Sequence, residues 1–195
     1  MSETNNEDRL SKTTSFLDTN RIINDYIFNI NDPQVRIVSD EECDNWKENL
    51  EDYDRKVYKY VISQMEKLEG DVNNDKRFDL IVTYRGDNCW QGIGASNYLS
   101  NFFFLVSEND SLQVDENLTN IFKQTFIDTL TKYFPNNYLT KPEKASFVND
   151  VNFLEIKDDN IKGTFAIMQC GASPCLSGDF SYNINAKSIT FANLK

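Results

Sequence analysis

Apolar residues spaced by three and four mark the first third of the chain. Trp46, Leu50, Tyr53, Val57, Tyr60, Val61 and Leu68 recur in this way, which keeps them on one stripe of a helix with about 3.6 residues per turn. Ser39-Asp40-Glu41-Glu42 precedes them in the form of a capping box. In that motif a serine oxygen and a glutamate carboxylate satisfy the donors that a helix start leaves free. Gly70 stands where a left-handed C-cap belongs. The spacing predicts a helix over 40–69, about 45 Å long and able to serve as the spine of a domain. Away from its apolar stripe lie Asp40, Glu41, Asp44, Glu48, Glu51 and Asp52, and Lys47 is the one basic residue between Asp40 and Asp54.

The same reading supplies the other elements. Ile22, Ile23, Tyr26, Ile27 and Ile30 predict a short helix from Asp18 or Thr19, closed by Asp32-Pro33 because proline disfavours helical geometry in the residue before it. Asp115 caps a third helix that carries Leu118, Ile121, Phe122, Phe126, Leu130, Tyr133 and Phe134 on one face and stops at Pro135. Val35 to Val38 reads as a brief extended link. Phe78 to Tyr84 and Phe102 to Val106 are β-branched or aromatic runs and predict buried strands. Val151 to Lys157, Ile161 to Gln169, Asp179 to Ile184 and Lys187 to Ala192 alternate with period two and predict four strands in succession, with Asp158-Asp159-Asn160 as a turn. The expected fold is therefore α+β: a single domain over 15–195 whose mainly antiparallel sheet, including a C-terminal four-strand meander, packs on about three helices. Met1 to Thr14 offers no apolar face and is expected to be a disordered tail.

Composition narrows the class of function. With 39% hydrophobic residues, 14 Phe and 9 Tyr in 195 residues, the chain has enough apolar surface to fold without metals or disulfides. Twenty basic residues against 31 acidic ones give a net charge of -11, which opposes a phosphate backbone, since affinity there comes from Lys and Arg releasing counterions. Nucleic acid and anionic membrane surfaces are thus unsuited as partners, and no apolar run approaches the roughly 20 residues that span a bilayer. The N-terminal stretch lacks a signal-peptide pattern, so the expected compartment is the cytoplasm, with Cys43, Cys89, Cys170 and Cys175 as reduced thiols.

The chemistry is bounded by an absence: the chain has no histidine. Ser-His-Asp and Cys-His catalysis, histidine zinc sites and imidazole proton shuttling are excluded within it. There is no G-x-x-x-x-G-K-[ST] phosphate loop, and Gly92-Ile93-Gly94 lacks the third glycine of a dinucleotide fingerprint. Tyr84-Arg85-Gly86 at a strand end resembles the strand-end arginine motif of ADP-ribosyltransferases. That family's Ser-Thr-Ser strand and paired Glu have no counterpart downstream of Arg85, so the arginine reads as a surface or interface residue. Glu155-Ile156-Lys157 resembles the E-x-K spacing of metal-dependent nucleases, with Asp150 as the nearest further carboxylate, and a strand with Glu and Lys on its solvent face explains it more simply. Cys170-Gly171-Ala172-Ser173-Pro174-Cys175 could bridge, bind a metal or supply a thiolate, and reads more plainly as a loop. The segment from Arg85 to Asn97 holds three of the seven glycines and is the first loop to test for function.

These observations point to an acidic protein-binding module that occludes a basic surface of another protein, in one version an immunity-type inhibitor of a toxic enzyme. Asp44, Glu48, Glu51 and Asp52 are the expected contacts, with Trp90 as an aromatic anchor. No catalytic residue, metal or cofactor is assigned. The rival readings are a histidine-free enzyme built on carboxylates or cysteine and a structural subunit of a larger assembly.

Overall fold

The structure, a computed structural model, describes residues 7–30, 35–48, 58–89, 98–109, 111–133, 150–167 and 176–195, with backbone alone for 7–17, 46–48 and 98. In chain order the elements are α1 (Glu7–Phe28), β1 (Val35–Ile37), α2 (Asp40–Glu48), β2 (Tyr58–Gly70), β3 (Asp79–Asn88), β4 (Tyr98–Glu108), β5 (Ser111–Val114), α3 (Glu116–Tyr133), β6 (Asp150–Lys157), β7 (Asn160–Ile167), β8 (Leu176–Asn183) and β9 (Ser188–Ala192). The fold is α+β. One sheet has the order β1-β2-β3-β4-β5 and the other is the meander β6-β7-β8-β9. Only β1 and β2 run parallel among the paired strands; the remaining pairs are antiparallel.

The five-stranded sheet is apolar on both faces, which is why β3 and β4 read as unbroken hydrophobic runs. Leu80, Val82, Tyr84, Phe103 and Leu105 turn to one face and pack with Ile23 and Ile27 of α1. Ile81, Phe102 and Phe104 turn to the other and join Phe122, Phe126 and Leu130 of α3 and the inner face of the meander. Phe122 is the hub of that second core: its ring lies 5.0–6.1 Å from those of Phe102, Phe104, Phe126, Phe153, Phe180 and Tyr182. Asp115 caps α3 as expected, its Oδ1 accepting from Leu118 N–H at 2.8 Å. The hairpin between β6 and β7 turns through Asp158 and Asp159, whose φ angles of 49° and 60° are left-handed, a conformation that Asp tolerates better than most residues.

Four expectations about the first half are corrected. The spine helix does not run to 69: α2 is nine residues long, and 58–70, the last part of the expected helix, is strand β2. A β-bulge interrupts this strand, with Ile62 paired to Gly86, Gln64 to Arg85 and Ser63 left over. The expected stripe is divided: Tyr60 packs in the core with α1, Leu68 against the core with α3 and Val61 against Cys43 and Cys89. Tyr58, Tyr60, Val61 and Ile62 have the aromatic and β-branched character of a strand. Gly70 is no helix cap. It pairs with Asp79, and a Cβ there would lie 2.7 Å from Ile156 Cβ, so its smallness lets the two sheets approach. The first helix begins at Glu7 rather than at Asp18 or Thr19, and Glu7 and Asp8 suit the electropositive start of a helix. Finally, Arg85 to Asn88 belong to β3 rather than to a loop.

Candidate functional site

The element that carries the expected contact surface is α2, and the residues around it explain how it is fixed. Ser39 Oγ accepts from Glu42 N–H at 3.1 Å and Ser39 O from Cys43 N–H at 3.0 Å, the serine half of the anticipated capping box. Glu42 turns its carboxylate to the sheet, where Lys59 Nζ of β2 donates to Oε1 at 3.2 Å and Arg36 Nη2 of β1 lies 3.7 Å from the same oxygen. Cys43 is bonded to Cys89 at the end of β3, with Cα atoms 5.4 Å apart and a sequence separation of 46. Both cysteines are buried and, with Val38, form a small cluster apart from the two main cores.

That bond corrects the expectation of reduced thiols. The pairing depends on α2 folding back over the edge of the sheet to bring the Cα atoms within the range a disulfide can bridge, and residues so far apart in sequence carry no local signal of it. Cys170 and Cys175 lie outside the described residues.

The expected contact residues are only partly placed. Asp44 is exposed on α2, as are Asp40 and Glu41. Glu48 is the last residue of α2, described by its backbone alone, and Glu51, Asp52 and Trp90 lie outside the described residues. The acidic surface also holds more compensating charge than the sequence showed. Arg36 and Lys59 were expected in a link and a helix, and their strands instead bring both cations to Glu42.

A second acidic group lies in the β2–β3 connection. One carboxylate oxygen from each of Asp71, Asp75 and Asp79 falls within 4.8 Å of the others. Asp79 has no exposed surface, and its Oδ2 and Oδ1 accept from Val72 N–H at 3.0 Å and Ser107 N–H at 2.8 Å. Burial raises its pKa above the ordinary 3.8, the Ser107 and Val72 N–H groups pull against that rise, and repulsion from Asp75 and Asp71 adds to it. Asp71 accepts from the N–H groups of Asp75 and Lys76, and Asp75 from that of Arg77. Such oxygens are hard donors of the type divalent cations take. The backbone N–H groups already engage all three carboxylates and account for the shape of the loop by themselves.

Two further features have polar or titratable character. Lys123 of α3 donates to Asn101 Oδ1 at 2.8 Å and lies 5.0 Å from the centre of the Phe102 ring; burial lowers its pKa to about 8. A groove of about 240 Å³ between strands β2 to β4 of one sheet and β6 of the other is lined by Glu66, Arg85, Ser100 and Asp150 among others. In the E-x-K segment, Glu155 pairs with Lys162 across the hairpin at 3.0 Å, not with Lys157. The hydrogen bond and charge of Lys162 hold the Glu155 carboxyl below its usual range. This is a cross-strand surface pair.

No protein-family model matches the chain, and neither a curated protein nor a solved structure is significantly similar to it. No helix among the described residues is long and apolar enough to cross a membrane.

Proposed function

We propose that the protein is an acidic protein-binding module that presents α2 to a basic surface of a partner protein. The observation that supports this is the mounting of α2. One side is tied down through the Ser39 cap, the Glu42 ion pairs and Cys43, while Asp40, Glu41 and Asp44 stay exposed on a chain of net charge -11. Carboxylates on a rigid helix act chiefly by steering a cationic partner to the right face and speeding association. An immunity-type inhibitor, covering the basic cleft of a toxic enzyme, is the version that combines this charge with the lack of histidine. The Cys43–Cys89 bond that holds α2 goes with an oxidising compartment rather than the cytoplasm, where thiol buffers keep cysteines reduced.

The test is kinetic. A partner is first identified by photo-crosslinking from a probe placed at Asp44, and its association is then followed by stopped flow between 50 and 500 mM salt, a span over which the Debye length shrinks from more than about 10 Å to less than about 8 Å. The triple variant Asp40→Lys, Glu41→Lys, Asp44→Lys should associate at least tenfold more slowly at low salt, with a flattened salt dependence. Equal rates for variant and parent would remove α2 from the interface. A second reading, a histidine-free enzyme, is favoured by one feature only: the groove where Glu66, Arg85 and Asp150 come together. Loss of a measurable activity in Glu66→Gln, with partner association intact, would support it.

A further inference from the structure

We propose that the Cys43–Cys89 bond is a redox latch: α2 is held helical and docked on the sheet while the pair is oxidised, and is released when a dithiol reduces it. The two ends of the bond are anchored very differently. Cys89 is built into the sheet, its N–H donating to Lys59 O at 2.9 Å beside the Val38 N–H bond to Tyr60 O at 2.9 Å. Cys43 sits on a helix of nine residues, well short of the roughly 12–15 that hold together unaided in water. Among the described side chains of α2, Cys43 is the buried one, and its cluster with Val38 and Cys89 is separate from both large cores. Glu42 adds contacts with Lys59 and Arg36. Its side chain is 39% exposed and that of Arg36 62%, so solvent screens that ion pair and weakens it, while Lys59, 19% exposed, is more shielded. The Ser39 cap holds only while the helix is formed.

Reduction follows ordinary thiol–disulfide exchange. A dithiol thiolate attacks one protein sulfur and displaces the other as a thiolate, giving a mixed disulfide. The second thiol of the reductant then attacks the mixed disulfide. Two electrons and two protons pass to the protein as Cys43–SH and Cys89–SH, and the dithiol leaves as a cyclic disulfide. Because both sulfurs are buried, exchange proceeds through local opening of α2, a small unit able to open without the main cores. For binding, the latch matters through the preceding reading: the exposed carboxylates keep their spacing only while α2 is helical.

Amide hydrogen exchange read by mass spectrometry on the full chain tests the latch without a partner. The oxidised protein should show Cys43 and Cys89 linked. After dithiothreitol treatment and thiol capping, amides of Asp40–Glu48 should lose protection at least tenfold, while those of β3, β4, β7 and β8 keep theirs. The variant Cys43→Ser, Cys89→Ser should match the reduced protein, and the reduced parent serves if that variant does not fold. Unchanged protection in α2 on reduction, free thiols at both positions in air-equilibrated protein, or loss of protection throughout the chain would each overturn the proposal. If the latch holds but charge reversal on α2 leaves partner association unchanged, the binding reading fails and the latch stands.

Discussion

Replacing Asp79 by alanine should cost more stability than an isolated surface carboxylate ever could, although it deletes a buried charge. The Asp79 oxygens bridge two backbone donors, Val72 N–H at 3.0 Å and Ser107 N–H at 2.8 Å, and so tie the β2–β3 connection to the far end of β4. Hydrogen bonds to a charged group contribute roughly 1.5–3 kcal/mol each, so the two sum to about 3–6 kcal/mol. Against this stands the cost of keeping a carboxylate out of water and beside Asp71 and Asp75, the cause of its raised pKa. The net loss should be about 2–4 kcal/mol, which with a slope near 2 kcal/mol/M moves a urea midpoint by roughly 1–2 M. Asp79→Asn should lose a similar amount, because its amide accepts from one N–H and sets a donor against the other. The pH dependence adds a sign. A raised folded-state pKa means the folded chain holds more protons than the unfolded one between 3.8 and that raised value, so the Asp79 contribution to stability falls as pH rises through the window. The gap between parent and Asp79→Ala, read by circular dichroism in urea, should therefore be wider at pH 4 than at pH 7. A gap below about 0.5 kcal/mol at pH 7, or one that does not change with pH, would refute this account.

Other substitutions probe the cores. At Gly163 in β7 a Cβ would meet Asn152 O at 2.2 Å and the Phe180 ring at 2.6 Å, so Gly163→Ala should lose at least about 2–3 kcal/mol in thermal or urea unfolding. Phe122→Ala, which removes the aromatic hub, should lose about 3–5 kcal/mol in the same assay. Tyr182 has a buried hydroxyl with no hydrogen-bond partner among the described residues, and Tyr182→Phe should therefore leave stability unchanged or raise it by up to about 1 kcal/mol; a clear loss would mean the hydroxyl is bonded.

Local chemistry alone determined much of this protein. Ser39 and Asp115 mark helix starts because capping is settled within a few residues, and the four C-terminal strands follow from alternation that leaves one face for the core. Both central strands were legible for a related reason: a strand buried on both sides has no polar face to disguise it. The absence of histidine and the charge of -11 limit the chemistry from the sequence alone. Of the expected contact residues, the structure places Asp44 on an exposed helix face, with Glu48 at that helix's end.

What the tertiary structure decided are relations between distant residues. The bulge at Ser63 exists only because β2 pairs with β3, and the spacing of Tyr60, Val61 and Leu68 does not reveal that they pack into three different clusters. Glu42 is neutralised by Arg36 and Lys59 because two strands converge beneath α2. Cys43 meets Cys89 because the helix folds over the sheet edge. Periodicity reports which face of its own element a residue takes. The partner on the far side of that face is chosen by chain closure over tens of residues, and composition, capping and spacing carry no record of it.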